Sequence, residues 1–563
     1  MSLVRQFLAQ IRQHVRDERD ELLRSWLQVE PNAPRQYHDL AAELRRSFAG
    51  PRSLDAVLDE CLPVGDDDDD GGGGGASVWP SFQSFMRDYL TLWRDINQDD
   101  DGAGGGASVW PSFQSFMRDY LTLWRDINHD DLLQAHELLT ALVNSCATAF
   151  THPQHGAMLI QLSMSLCESL SRFTLRLNRR PDLTRRLRSS RDDEGATKTV
   201  AESSAETIQK IFKTCLMDRA SGRKPEGKKV GVYMFANLVL KLLFACKRTN
   251  LANMIFRNMS ASSPPLHLYP ASQRVTYLYY LGRFNLSTNH YLRAALCLEQ
   301  AYLQTPPQLV SHRTNILTYL IPCNILVGRF PSGRLLERPE ARTLRPVFLP
   351  LCQAVRSGNF IQFQNHLAAH ESWLFEKGLH LPLSYRLRPL LWRSLARKTF
   401  ILTYVPPTDV DSRKAATLDF DHLLVVATYI QRRLQGWLPL SQVVRGRPPH
   451  ILFIKAVPSN IHIPTGTTLV APPAGPKKLR PNEGLIWGNA DVTFNDVEMT
   501  VASLIQQELM HGFVAHSQGR FAIIGAKAKG PVLAGWPTVW QAIHERRYEE
   551  TFKSDEVPGW VKG

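Results

Sequence analysis

One stretch of the chain, YLYYLGRFNLSTNHYLRAALCLEQAYLQTPP, limits its possible folds more than any other. Small residues stand at Gly282, Ala294 and Ala301, where two antiparallel helices would face each other. Small side chains let two helix backbones approach closely, and the leucine at position 298 fills the seam beside them. Pro306 ends the second helix because proline cannot continue one. The stretch therefore predicts a tightly packed helix pair.

These positions match a tetratricopeptide-type unit when its Leu-Gly pair is placed at residues 281–282. From Gly231 to about Thr403 apolar residues keep helical spacing, although the later helices follow the repeat only loosely. We therefore predict a mainly α chain, built from a degenerate, right-handed tetratricopeptide-like helical repeat stack.

The C-terminal third changes character at TFNDVEMTVASLIQQELMHGFVAHSQGRFAIIG. Asn495 and Glu498 have the spacing of a helix-starting capping box, and Phe494 with Met499 fits a hydrophobic staple. Gly512 has the character of a glycine that ends the helix. FVAH and RFAII predict two short strands around a turn at SQG. Helix followed by hairpin, after an earlier helix, is the order of a winged helix.

A second feature is a repeat of another kind. The stretch ASVWPSFQSFMRDYLTLWRDIN begins at Ala76 and again at Ala107. It is part of a 31-residue unit that occurs twice, as Asp68–Gln98 and as Asp99–His129. Each unit holds one amphipathic helix, and the copies have barely diverged, which argues against a solenoid repeat. We interpret it as a recent tandem duplication or a gene-model error, with one copy docked and the other redundant.

Composition shifts along the chain predict seven parts. They are N-terminal helices at 1–65, acidic and glycine-rich linkers with the duplicated helix at 66–130, helices at 131–178, a basic and partly disordered linker at 179–229, the helical repeat part at 230–403, the winged helix at 404–530 with an inserted loop at 436–490, and a C-terminal tail at 531–563.

The bulk composition limits the compartment and the partners. The 563 residues carry a formal net charge of +13, which favours nucleic acid or another acidic partner. Eight cysteines without a CxxC pair indicate free thiols in a reducing compartment. The N-terminus lacks a secretory signal, and we find no span for a membrane. We expect the protein in the nucleus, with the cytoplasm as the alternative.

Three segments carry a family resemblance: YLYYLGRFNL with YLRAALCLEQAYLQTP and NILTYLIPCNILVGRFPS, then NDVEMTVASLIQQELMHGFVAH, and the closing VPGWV. Together they resemble the PCI-domain family, in particular signalosome subunit twelve-like proteins and the PCI subunits of messenger-RNA export. The resemblance covers about residues 229–525. The duplication and the 436–490 insertion depart from it, and the insertion leaves open whether the winged helix is regular.

The resemblance implies a non-catalytic subunit of a nuclear transcription-coupled mRNA export complex. Its implied partners are a large PCI export scaffold protein, a small acidic proteasome-lid-type peptide subunit, and RNA or double-stranded DNA. The alternative is a pure protein-interaction scaffold of a signalosome-type complex without direct nucleic-acid contact.

The basic residues suggest sequence-tolerant binding to a phosphate backbone. The predicted recognition helix has no Lys or Arg from Phe494 to Gly519, so positive charge lies in the wing and in two runs, Arg172–Arg191 and Lys210–Lys229. The predicted nucleic-acid-binding residues are Arg185, Arg186, Arg188, Lys228, Lys229, Arg520, Lys527 and Lys529. The competing interpretations are a solvated hairpin end for the wing, and a disordered linker or nuclear import signal for the runs.

Two weak motifs suggest chemistry that the pattern does not support. GRKPEGKK at 222–229 lacks the Ser or Thr that a P-loop places last, since Lys229 stands there. His366 and His370 share a helix face, but the sequence pattern indicates no third metal ligand for them. Without a His-x-His or GxSxG motif, we predict no enzyme, no cofactor and no metal.

Overall fold

The computed structural model describes residues 2–29, 34–48, 50–64, 109–128, 130–180, 199–218, 224–406, 415–439 and 469–545. They form two compact units, one up to Tyr280 and one from Leu281 onward. Helices dominate both units, as the apolar periodicity predicted. In the described ranges, no helix combines the length and the apolar character needed to cross a bilayer.

The first unit is built from helices joined by short turns. They are α1 (Leu3–Arg16), α2 (Asp20–Trp26), α3 (Arg35–Ser47), α4 (Pro51–Cys61), α5 (Pro111–Asp126), α6 (Leu132–Phe150), α7 (Ile160–Asn178), α8 (Val200–Met217), α9 (Val232–Ala245), α10 (Ala252–Ser262) and the first part of α11 (Ala271–Ser287). Short 3₁₀ turns lie at His155–Leu159, Gly227–Gly231, Thr249–Leu251 and Leu266–Leu268.

Helix α5 is the second copy of the duplicated segment, and it is a core element of this unit. Its face of Phe113, Phe116 and Tyr120 is fully buried against α3, α4 and α6. The Tyr120 ring stacks on Phe7 of α1 at 6.1 Å, and its hydroxyl donates to the Gln28 carbonyl oxygen at 2.7 Å. The first copy, from Ala76, lies outside the described residues, so its predicted redundancy stays a prediction.

The chain enters α5 beside the point where it leaves α4. Val64 and Val109 form a parallel β-bridge, and the Val109 N–H donates to the Pro63 carbonyl oxygen at 2.9 Å. The two ends of the interval between them therefore lie side by side.

The second unit continues with helices. They are the end of α11, then α12 (Tyr291–Gln304), α13 (Val310–Leu326), α14 (Gly333–Leu336), α15 (Arg345–Ser357), α16 (Phe360–Ala369), α17 (Glu371–Glu376), α18 (His380–Arg386) and α19 (Arg388–Thr403), with a 3₁₀ turn at Pro339–Ala341. The predicted close approach is confirmed at Gly282, where a Cβ would lie 2.6 Å from Leu298 Cγ and 3.3 Å from the Ala294 carbonyl oxygen. Only glycine permits this spacing.

A winged helix follows, as predicted. It holds β1 (Thr417–Asp419), α20 (Phe420–Leu434), α21 (Phe494–Gln506), β4 (Gly512–Ala515) and β5 (Arg520–Ile523). The sheet order is β1-β5-β4, with both pairs antiparallel. The chain then forms α22 (Ala526–Lys529), α23 (Pro531–Gly535) and α24 (Val539–Glu545).

The start of α21 corrects the predicted cap. Thr493, not Asn495, is the N-cap: its hydroxyl accepts the Asp496 N–H at 3.2 Å, and the Asp496 carboxylate accepts the Thr493 N–H at 2.9 Å. The expected staple is absent because Met499 is 70% exposed. The predicted capping box is therefore present, but it begins two residues earlier in the chain than the sequence analysis placed it.

The end of α21 also differs from the prediction. The helix stops at Gln506, and Glu508 takes the left-handed conformation with φ +56°. Gly512, expected to end the helix, begins β4 instead.

Part of the predicted inserted loop is a packed structure, which we call the insertion arm (residues 469–493). Strands β2 (Leu438–Pro439) and β3 (Leu469–Val470) pair at its base. The Arg388 guanidinium of α19 donates to the backbone carbonyls of Asn482, Gly484 and Leu485. Long-range hydrogen bonds, rather than an internal period, hold the arm.

Candidate nucleic-acid interface

The structure exposes the predicted wing residues but does not gather them at one point. Arg520 is the first residue of β5, and its Nε lies 3.4 Å from Asp419 Oδ2. Lys527 and Lys529 are exposed on α22, after the other end of that strand. Strand β5 thus separates Arg520 from the two lysines, and one of the three charges is partly offset by a carboxylate.

Helix α21, in the position of a recognition helix, presents a neutral face. Its exposed residues are Asn495, Met499, Ser503 and Gln506, and the helix has neither Lys nor Arg. Major-groove readers neutralise phosphates beside the helix that enters the groove. This face lacks the charge for that mode of binding.

Lys228, in the second predicted basic run, has a structural role. Lys228 is only 6% exposed, and its Nζ donates to the His152 carbonyl oxygen at 2.8 Å and to Thr151 O at 3.3 Å. Burial lowers the pKa of this lysine, although nearby Asp218 opposes the shift. The ammonium is occupied by backbone carbonyls, so the structure gives no support to Lys228 as a phosphate ligand.

The four other predicted positions outside the wing are Lys229 and three arginines. Lys229 is half-buried, and its carbonyl oxygen accepts the Tyr269 hydroxyl at 2.7 Å. Arg185, Arg186 and Arg188 lie outside the described residues.

A basic surface that the sequence analysis missed lies at residues 333–345, which we call the arginine turn. Four arginines are exposed there at a spacing of three to four residues: Arg334, Arg338, Arg342 and Arg345. The Arg338 Nη1 donates to the Tyr302 hydroxyl at 3.0 Å. Within the described ranges no carboxylate pairs with the other three, so their guanidinium groups are available to an anion.

A buried carboxylate holds this turn in place. Glu340 lies 3.1 Å from Arg313 Nε and accepts the Tyr302 hydroxyl at 2.8 Å. Its carbonyl oxygen also accepts the Thr314 hydroxyl at 2.8 Å. Burial opposes ionisation, but hydrogen bonds from the backbone and Tyr302, together with the Arg313 charge, outweigh it and lower the pKa of Glu340. The turn is therefore a fixed support for the arginines around it.

A sequence pattern could have identified the arginine turn. RLLERPEARTLR places arginines at 334, 338, 342 and 345, with Pro339 interrupting the helix between them. The stretch was assigned to the helical repeat, where a charged position predicts only a solvated face.

The motifs that weakly suggested chemistry take other roles. The Lys228 N–H, where a P-loop would meet a phosphate, donates to the Asp218 carboxylate at 3.1 Å. His366 Nε2 lies 2.6 Å from the Val347 carbonyl oxygen. No cluster of three or more metal-binding side chains occurs in the part of the chain that is described.

No family model matches the chain. It is 29% identical over 295 residues to a PCI domain-containing protein of Schizosaccharomyces pombe, an alignment that covers 52% of this chain and 64% of the relative. It is 34% identical over 214 residues to the Neurospora crassa protein CSN12 homolog, covering 37% and 46% respectively. A Drosophila melanogaster PCI domain-containing protein 2 homolog is 26% identical over 249 residues, covering 42% and 61%.

The chain is similar to PCI-domain proteins. Among them it is similar to the signalosome subunit 12-like proteins, as the sequence resemblance indicated. The helical stack and the winged helix described above are the fold expected of a PCI-domain protein. The chain spans between 46% and 64% of the length of these relatives.

Proposed function

We propose that this protein is a non-catalytic PCI subunit of a nuclear transcription-coupled mRNA export complex. In that complex it pairs with a large PCI export scaffold protein and a small acidic proteasome-lid-type peptide subunit. It also contributes to sequence-tolerant binding of RNA or double-stranded DNA.

The observation that carries this proposal is the arginine turn on its buried Glu340 support. Three exposed guanidinium groups that have no partner among the described residues suit a phosphate backbone, because each neutralised phosphate releases counterions. The exposed Arg520, Lys527 and Lys529 of the winged helix are further predicted contacts. Arg185, Arg186 and Arg188, which lie outside the described residues, are predicted contacts as well.

A second candidate function is supported by a different surface. Met499 on α21 is 70% exposed and Phe513 on β4 is 54% exposed. Among the described strands, β4 is at the edge of its sheet, so its outer backbone groups can pair with another strand. This surface favours a pure protein-interaction scaffold of a signalosome-type complex.

Salt-dependent binding to single-stranded RNA and duplex DNA tests the first candidate. Reversal of three charges, R334E with R342E and R345E, should weaken binding at least tenfold at low salt. It should also reduce the slope of log affinity against log salt by about 0.7 to 0.9 per arginine.

The control has the same change in net charge at three exposed arginines of α1, α2 and α3: R16E, R24E and R46E. It should keep most of the affinity. Reversing Arg185, Arg186 and Arg188 measures the run in the first unit separately. If the arginine-turn variant binds as the wild-type chain does, the turn has no role in nucleic-acid binding.

Affinity purification followed by mass spectrometry separates the two complexes. Recovery of a PCI export scaffold supports the first candidate, and recovery of signalosome subunits supports the second. Nuclear localisation is tested by imaging the tagged chain.

A further inference from the structure

The insertion arm presents one large aromatic ring to solvent. Trp487 is 65% exposed, although it lies in a segment whose backbone is fixed on both sides. The buried Gln431 of α20 accepts the Leu485 N–H at 2.8 Å and donates to the Gly488 carbonyl oxygen at 2.8 Å. The Gly488 N–H donates to the Pro481 carbonyl oxygen at 3.2 Å. The indole is therefore held out on a rigid support.

Basic side chains lie on the same part of the arm. The Asn489 side chain donates to the Lys477 carbonyl oxygen at 2.9 Å and accepts the Leu479 N–H at 2.7 Å. This joins the segment containing Trp487 to Lys477 and Lys478, which are both exposed. In the ranges the structure covers, no carboxylate pairs with either ammonium group.

The end of α20 adds an aromatic–cation pair. The Lys477 N–H donates to the Gln435 carbonyl oxygen at 2.8 Å, which ties the two lysines to this helix end. There the exposed Arg432 guanidinium lies 5.5 Å from the centre of the half-buried Trp437 ring, and Arg433 donates to the Trp437 carbonyl oxygen.

The acidic groups nearby do not cancel this charge. Glu371 and Glu483 both pair with Arg480 rather than with the two lysines. Asp491 is the remaining exposed carboxylate of the insertion arm. The balance of this surface is positive.

We infer that Trp487, Trp437, Arg432, Lys477 and Lys478, which we call the indole platform, bind single-stranded nucleic acid by stacking of a base on the Trp487 ring. The lysines and Arg432 would hold the phosphates on either side. The inference rests on the proposed function and assigns it a preference for single strands.

The chemistry distinguishes a single strand from a duplex. Bases of a duplex are stacked on each other, so an exposed indole gains nothing from them, whereas an unpaired base offers a free face. It also distinguishes nucleic acid from a protein partner. The cores of protein interfaces are depleted of charged residues, whereas Lys477, Lys478 and Arg432 make this surface positive.

Fluorescence anisotropy with the full chain tests this inference, using a labelled single-stranded RNA and a labelled DNA duplex. Trp487→Ala should weaken RNA binding about tenfold or more and leave the salt slope unchanged. Lys477→Gln with Lys478→Gln should instead reduce that slope by about 0.7 per lysine. Duplex binding should stay unchanged in W487A. Phe375→Ala on α17 is the matched control, since this ring is also 65% exposed.

The outcomes separate this inference from the proposed function. Equal RNA affinity of W487A and the wild-type chain overturns the indole platform and leaves the arginine turn intact. An equal loss for RNA and duplex overturns the preference for single strands. Absence of RNA binding by the wild-type chain at low salt overturns both. Loss of a protein partner in W487A, with RNA binding kept, assigns the ring to a protein interface instead.

Discussion

Helix α5 and the insertion arm are both fixed in place, but by opposite means. Helix α5 buries Phe113, Phe116 and Tyr120 along one regular face. The insertion arm has little regular structure, and Arg388 and Gln431 hold it from 54 or more positions away in sequence. The local sequence of α5 is enough to predict its structure, whereas the structure of the insertion arm depends on residues elsewhere in the chain.

The difference decides how each segment responds to change. Apolar burial is spread over a whole helix face, and losing one large ring costs both transfer energy and a cavity. The insertion arm depends on a few directional hydrogen bonds, and losing one partner leaves buried donors and acceptors unsatisfied. Substitutions should therefore affect the whole first unit in one case and only a local segment in the other.

The largest effect is expected from Phe116→Ala in α5. Removal of this fully buried ring should cost about 4 kcal/mol of unfolding free energy, because its neighbours cannot fill the space. Calorimetry should show a lower unfolding temperature of the first unit. Phe85→Ala, the same change in the first copy, should have almost no effect.

Variants in the two copies also define the result that would contradict this prediction. If Phe116→Ala alone leaves the unfolding temperature unchanged and the double variant with Phe85→Ala lowers it, the first copy can replace the second. The assignment of the docked helix to residues 111–126 would then be wrong for part of the population.

A smaller effect is expected from pH, through His136 in the core of the first unit. Its Nε2 lies 3.1 Å from both Thr174 Oγ1 and Ser204 Oγ, and burial lowers its pKa to about 4. Below pH 6.5 the unfolded chain takes up a proton that the folded chain does not, so stability falls as the pH drops towards 4. The loss should be about 3 kcal/mol.

Denaturant unfolding at a series of pH values measures this loss. His136→Gln should flatten the dependence between pH 6.5 and 4. An unchanged pH profile in that variant would assign the acid sensitivity to other groups.

Gln431→Leu should affect the insertion arm alone. The substitution leaves the Leu485 N–H and the Gly488 carbonyl oxygen without their partner, at a cost of about 2 kcal/mol. Limited trypsin digestion should then cut faster after Lys477 and Lys478, with the first unit unaffected. Equal cleavage rates in the variant and the wild-type chain would show that Gln431 does not hold the arm.

The smallest effect is expected from deletion of Asp68–Gln98, the first copy of the duplicated unit. The unfolding temperature and partner binding should stay the same, within about 1 kcal/mol of stability. A large drop would mean that both copies pack, and that the interpretation of the N-terminal region was wrong.

The same contrast explains what sequence alone could predict. Helix α5, the close approach at Gly282 and the β4–β5 hairpin follow from local spacing, and all were predicted correctly. The cap of α21 was misplaced because Asn495 with Glu498 fits the pattern as well as Thr493 with Asp496 does. Local spacing cannot choose between two valid caps two residues apart.

The candidate site was harder to predict for the same physical reason. The arginine turn depends on Glu340 meeting Arg313 and Tyr302, and the indole platform depends on Gln431 meeting the 485–488 segment. Neither contact is marked by periodic spacing in the sequence. The sequence shows that Lys228 is a charged residue. It does not show that the ammonium group is buried against backbone carbonyls.

The bridge between Val64 and Val109 has a consequence for how this chain can evolve. Because the two ends of that interval touch, residues can be added between them without moving either helix. Even a threefold lengthening of an unstructured loop costs only about 1 kcal/mol of closure entropy. If the first copy is redundant as predicted, a duplication at this place is nearly silent to selection on stability, and the first copy is material on which new binding contacts could be built.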